Sequence, residues 1–400
     1  MSDGTATGER PEARTPVGPS ARSSRAVRLL RGRPGAALAG LLVGALVAAG
    51  LMAWRADALP FLPKDRCWGA LSEDDVSGLF SDEGEIRAHE LPFSHAVTSD
   101  DNGVTQCSLQ RYEDDEMRWE VTAEVRDLGS YANEDLRQWP TEFLSSRMVP
   151  LGGGVTGMVS PSRAWVALPK SCSGDDDLGY QTPSVVSLSS GGPSARDNDP
   201  DEARTYRAAL ARAVVHLANG VMDRSGCEKS YPDPDTDALP ALADSHRLDG
   251  KRAESLCGVR GLRLPERARP SKEYAYSERL AAGSTKDARI CDVGQYLDQG
   301  DLRLMTLRNE RLAHLYAQNL QQGSVPVTPV RKERKDKDRG TVAGDVAVYV
   351  ARCGKGDVAF VAQGDTVARQ RLAPDLLPAY VEKEAERIGC GELKVRVPSF

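Results

Sequence analysis

Hydrophobic and polar positions divide the chain into three regimes. Residues 1–34 carry no periodic apolar pattern and are rich in Ser, Thr, Pro, Gly and Arg, a composition that cannot bury enough apolar surface to fold. From Gly35 to Trp54 the sequence GAALAGLLVGALVAAGLMAW holds no charge, and at about 1.5 Å per residue a helix of that length spans a bilayer core of roughly 30 Å. Beyond it the pattern switches repeatedly between period two and helical spacing, which predicts an α+β chain.

Strand patterns stand at Trp119–Val125, Ala164–Leu168 and Val185–Leu188, and again at Leu302–Met305, Val346–Val350 and Val358–Val361. Helical stripes follow each trio: Tyr206, Leu210, Val214, Leu217 and Val221 first, then Leu377, Tyr380 and Ile388. A further helical stretch runs from Leu307 to Gln322, with a weaker counterpart from Glu134 to Arg147 that Pro140 interrupts. The second half of the chain therefore repeats the first. Both long helices end alike, in Asp223-Arg224-Ser225-Gly226-Cys227 and Glu386-Arg387-Ile388-Gly389-Cys390, with glycine placed to terminate the helix. The copies differ most where the first inserts a Gly, Ser and Asp-rich loop of roughly Ser173–Glu202.

The predicted organisation is a tail over 1–34, a transmembrane helix over 35–54, a first α+β domain over 64–228, a linker over 229–252 and a second copy over 253–400. Each copy is expected to be an antiparallel sheet with two or three helices against it.

All eight cysteines (Cys67, Cys107, Cys172, Cys227, Cys257, Cys291, Cys353, Cys390) follow the apolar run, as expected if everything beyond it lies in an oxidising compartment. Four cysteines per copy allow three pairings. Sequential bridges are favoured, Cys67 to Cys107, Cys172 to Cys227, Cys257 to Cys291 and Cys353 to Cys390, because each ties a helix end to a strand end. A closed loop of that size is worth about 4 kcal/mol on the chain-entropy model. Structural zinc requires short C-x2-4-C spacings, and the sequence has none.

Charge fixes the expected topology. Residues 1–34 hold seven arginines against three acids, a net +4, while residues 55–400 hold 45 basic and 55 acidic residues, a net −10. The positive-inside rule then places the N-terminus in the cytoplasm and the bulk outside. The rival reading is a cleaved signal peptide, suggested by the A-x-A of Ala56 and Ala58, but the apolar run is longer than an h-region of about 7–15 residues. A net-acidic outer portion does not suit nucleic acid or anionic lipid, whose binding needs clustered Lys and Arg.

The opening of copy one, Cys67-Trp68-Gly69-Ala70-Leu71-Ser72-Glu73-Asp74-Asp75-Val76 with Leu79-Phe80 and then Cys107-Ser108-Leu109, resembles a family of actinobacterial secreted and lipid-anchored domains of unknown function. It is similar also to the extracytoplasmic sensor domain of mycobacterial serine/threonine kinases. The resemblance covers about 60 residues of copy one. It implies a helix on a twisted antiparallel sheet, ligand or partner sensing outside the membrane, and no catalytic residues. Copy two departs from it, since Cys257-Gly258-Val259 leads into Gly261 and Pro265 instead of an acidic helix start.

Catalytic and metal motifs are wanting. None of His89, His95, His216, His246 and His314 belongs to an H-E-x-x-H pattern, and the glycine-dense Gly152–Gly157 has no following helix and lysine to make a phosphate loop. Asp233, Asp235 and Asp237 open like a calcium loop, yet Ala238 stands where the turn needs glycine and Asp244 where a bidentate Glu belongs, so they read as linker. Asp175–Asp177 and the sign-alternating run Arg331–Arg339 read as solvated loops. The four outer tryptophans, Trp68, Trp119, Trp139 and Trp165, all fall in copy one. These observations predict a single-pass, membrane-anchored extracytoplasmic binding or sensing module without cofactor or metal, its partner an envelope protein or glycan. A cell-envelope hydrolase and a structural spacer are the alternatives.

Overall fold

The computed structural model describes residues 66–398 apart from 81–83, 93–103, 129–137, 173–183, 192–198, 270–274, 284–286, 296, 298–300, 320–324, 331–338, 355 and 365–370. The tail and the apolar segment Gly35–Trp54 lie outside the described residues. Among the described residues no helix is long and apolar enough to cross a membrane.

The chain is α+β with antiparallel sheets. Copy one contributes helix α1 (Glu73–Leu79), strands β1 (Glu85–Glu90), β2 (Val104–Glu113) and β3 (Glu116–Asp127), helix α2 (Gln138–Phe143), strands β4 (Val149–Pro150), β5 (Gly157–Val159), β6 (Arg163–Ala167) and β7 (Ser184–Ser190), and helix α3 (Pro200–Arg224). Copy two contributes β8 (His246–Arg247), α4 (Gly250–Ala253), β9 (Ser277–Leu280), β10 (Ala288–Gly294), β11 (Leu302–Leu307), α5 (Glu310–Asn319), β12 (Val325–Pro326), β13 (Thr328–Pro329), β14 (Arg339–Ala343), β15 (Val346–Cys353), β16 (Gly356–Gly364), α6 (Leu372–Arg387) and β17 (Val395–Arg396). The first sheet runs β1-β2-β3-β7-β6-β5-β4 and the second β12-β14-β15-β16-β11-β10-β9-β8, the same order once β8 is set aside. The duplication read from cysteine spacing is thus a duplication of topology.

Local chemistry repeats with it. Ser72 caps α1 in a capping box with Asp75, and Asp199 with Pro200 at the first helical position starts α3. Both long helices end in a Schellman motif with the cysteine in the last position. Cys227 N–H donates to Met222 C=O (2.9 Å) after Gly226 at φ +70°, and Cys390 N–H donates to Ala385 C=O (2.8 Å) after Gly389 at φ +73°. The four disulfides join Cys67–Cys107, Cys172–Cys227, Cys257–Cys291 and Cys353–Cys390, the sequential set.

Strand alternation sorts side chains onto two faces of each sheet. Val121, Ala123, Val125, Val166 and Leu188 meet α1 and α3 in one core; Leu304, Tyr349, Phe360 and Ala362 meet α6 in a second. The opposite faces build a third core across the repeat boundary, in which Met158, Trp165 and Val185 of copy one join Ile290, Met305, Val348 and Val361 of copy two, with Phe143 and with Leu312 and Tyr316 of α5. Residues 64–400 accordingly form one compact unit.

A buried ion pair stitches this boundary. Asp292 on β10 accepts from Arg303 Nε on β11 at 2.5 Å, and its second oxygen accepts from the Ser146 N–H of copy one at 2.9 Å. Arg303 Nη1 donates to Pro140 C=O at 3.1 Å. From the other side, Arg311 at the start of α5 donates to Leu168 C=O at 2.6 Å.

Candidate functional site

The feature best suited to hold a ligand lies where copy two departs from copy one. Residues His246–Arg247, within the stretch expected to connect the copies, pair with Glu278 and Ser277 of β9 and extend the second sheet by one edge strand. Leu248 N–H continues the ladder to Tyr276 C=O at 2.8 Å, after which α4 turns the chain away. Leu256 N–H donates to Leu262 C=O (2.9 Å) and Gly261 N–H to Glu254 C=O (3.1 Å), folding residues 254–262 into a compact loop. Between strand, helix and loop lies a cavity of about 490 Å³. That volume falls in the range of small-molecule sites, roughly 300–1,000 Å³.

Its floor is apolar: Leu248, Leu256 and Leu264 are buried and belong to the core of copy two. Its rim carries Arg247, Arg263 and Arg269, all exposed, with Asp249 and Glu254. Arg263 Nη2 stands 3.3 Å from Glu254, and Arg247 Nε stands 4.0 Å from Asp249. The first sheet ends at β1, so among the described residues this cavity has no counterpart in copy one.

A second cluster joins α1, α3 and the segment after α3. His216 Nδ1 lies 2.8 Å from Asp75, and its Nε2 lies 3.1 Å from Asp233. Asp75 also accepts from the Ser72 hydroxyl at 2.7 Å. The hydrogen bond to Asp75 raises the His216 pKa, and burial opposes it less strongly. Burial disfavours the Asp75 carboxylate, but the hydrogen bonds from His216 and Ser72 together outweigh it and hold its pKa below the usual value. Ser72 is bonded to the carboxylate and not to the imidazole, so the three groups lack the order of a nucleophile, base and orienting acid. The cluster is a clamp.

The sequence-predicted residues distribute as follows. All eight cysteines are in bridges. Cys257, Glu278 and Cys291 come close enough to suggest a metal, but both sulfurs are bonded to each other, and Glu278 accepts the Cys257 N–H at 2.6 Å. Glu90 does the same for Cys67 (2.6 Å) and Trp68 (3.1 Å), holding a left-handed turn that is costly for residues other than glycine. Asp233 pairs with His216, and Asp235 accepts from Ala238 N–H at 3.2 Å. Trp68 and Trp165 are core residues. His314 is half-buried on α5, His89 and His246 are exposed, and His95 and Asp175–Asp177 lie outside the described residues. On the other face of the first sheet, Tyr112, Gln110, Glu120 and Ser108 form a hydrogen-bonded row. The arginine-rimmed cavity escapes sequence reasoning because its members are spread over 247–269; the one usable signal is arginine recurring among Leu248, Leu256, Leu262 and Leu264.

No family model matches the chain, and neither a curated protein nor a solved structure matches it.

Proposed function

We propose that the chain is an extracytoplasmic binding or sensing module, anchored by Gly35–Trp54 with its N-terminus in the cytoplasm. The observation that carries the reading is the cavity of copy two, a concave site of ligand size with an apolar floor and a few charged groups at its mouth. Arginine bias before the apolar run and cysteines confined beyond it support the location. The resemblance of the Cys67–Phe80 stretch to sensor domains of the cell envelope supports the same class, with an envelope protein or glycan as partner. The net-acidic outer portion argues against nucleic acid.

The test is to display the full chain in phosphatidylcholine nanodiscs, expose it to envelope extract, and identify what is retained by mass spectrometry. Retention of a defined molecule by the natural chain, lost in an Ala253→Trp variant that fills the cavity, is the expected result. Turnover of a peptide or ester library with nothing retained would favour a hydrolase, and blanks in both assays a spacer.

A further inference from the structure

We propose that the copy-two cavity takes an organic anion, a carboxylate or phosphate ester carrying a short apolar body, read by Arg247, Arg263 and Arg269. The proposal rests on the cavity being the binding site and adds the chemical class of its ligand.

Three guanidiniums face two carboxylates around the mouth, so the site carries a net positive charge on an outer portion whose balance is −10. A local inversion of that kind draws anions. Two of the arginines pair with acids at 3.3 and 4.0 Å, but both pairs are solvent-exposed and therefore weak enough to be exchanged for a ligand anion. The Arg269 backbone N–H donates to Glu266 C=O at 3.2 Å, while its exposed guanidinium makes no ion pair or side-chain hydrogen bond among the described residues. A guanidinium presents a planar fork that fits carboxylate and phosphate oxygens in pairs, and it is weakly hydrated enough to be stripped of water at modest cost. Beneath the rim, Leu248, Leu256 and Leu264 can receive a hydrocarbon or aromatic body but cannot satisfy a polar one. A neutral sugar would leave its hydroxyls unpaired on that floor, so an envelope glycan would enter the site through an acidic or phosphorylated group, and a cation would meet three like charges. An amphipathic anion satisfies both layers.

Such a group can come from a soluble metabolite or from a lipid headgroup, and the experiment separates them. The full chain in phosphatidylcholine nanodiscs is titrated calorimetrically with phenyl phosphate, benzoate, benzylamine and benzyl alcohol. The two anions are expected to bind and the amine and alcohol not to. Arg263→Gln with Arg269→Gln should weaken the anions by about 10–100-fold. Arg269→Gln alone breaks no ion pair among the described residues, so its effect is read in a natively folded chain, checked by an unchanged melting curve. Replacing the nanodisc lipid by phosphatidylglycerol lowers phenyl phosphate affinity if a headgroup occupies the site and leaves it unchanged if the ligand is soluble. Binding of benzylamine or benzyl alcohol as tight as that of the anions, or no loss in the arginine variants, overturns the anion assignment while leaving the cavity a binding site. Failure of all four probes overturns both.

Discussion

Removing the Asp292 carboxylate should destabilise copy one together with copy two, although Asp292 belongs to copy two. Asp292 is 1% exposed; it accepts from Arg303 and from the Ser146 N–H, while Arg303 also donates to Pro140 C=O. In an Asp292→Ala chain the guanidinium keeps a single backbone acceptor and Ser146 N–H keeps none. Breaking a buried pair costs about 3–5 kcal/mol, and orphaning a buried donor about 1–3 kcal/mol more if the site cannot admit water. Against a total of roughly 5–15 kcal/mol the loss is large. The tryptophans supply the assay, because positions 68, 119, 139 and 165 all lie in copy one and copy two has none. In a Trp54→Phe background, urea unfolding followed by tryptophan fluorescence reports copy one and circular dichroism reports the whole. Both midpoints should fall together. Asp292→Leu combined with Arg303→Met should recover a substantial part of the loss, since it removes both charges and retains apolar volume. A fluorescence midpoint unmoved by Asp292→Ala, beside an earlier transition in circular dichroism, would refute the idea that the shared core couples the copies.

Other expectations follow from the same geometry. His216 has a raised pKa, so its contribution is complete below the unfolded value of about 6.5 and fades as pH rises through the folded value; Asp75, lowered, contributes above about 3.8 and fades as pH falls through its folded value. The difference in urea stability between the natural chain and His216→Gln should therefore peak between about pH 4 and 6.5, at about 1–2 kcal/mol because the imidazole is a third exposed, and a pH-independent difference would rule the clamp out. A methyl group on Gly220 of α3 would overlap Ala70, so Gly220→Ala should cost about 1–3 kcal/mol, and adding Ala70→Gly should restore the melting temperature. Arg207 is 4% exposed and its Nε has no hydrogen-bond partner among the described residues, so Arg207→Met should raise stability by about 1 kcal/mol in a thermal melt; a loss would show that its guanidinium is satisfied in solution.

Much of this protein is determined by its sequence alone. Spacing and flanking residues reveal the duplication and its bridges because helix termination is a local matter: glycine two residues after Arg224 and Arg387 adopts positive φ and swings the cysteine into a fixed place. Strands such as Trp119–Val125 are legible because one face meets a core and the other is polar. The proposed sensor-like class and the proposed membrane anchor rest on sequence throughout. Only the tertiary structure decides that the two copies share a third core. The sign of it is the continuous apolar run of β15 and β16, buried on both faces, but such a run does not say which surface covers the second face. The same holds for Asp292, which sits among ordinary strand residues and becomes a link between copies only when Pro140 and Ser146 arrive from far along the chain. The arginine-rimmed cavity is likewise a product of distant pairing, since β8 must first find the edge of β9 before residues 247–269 enclose any volume.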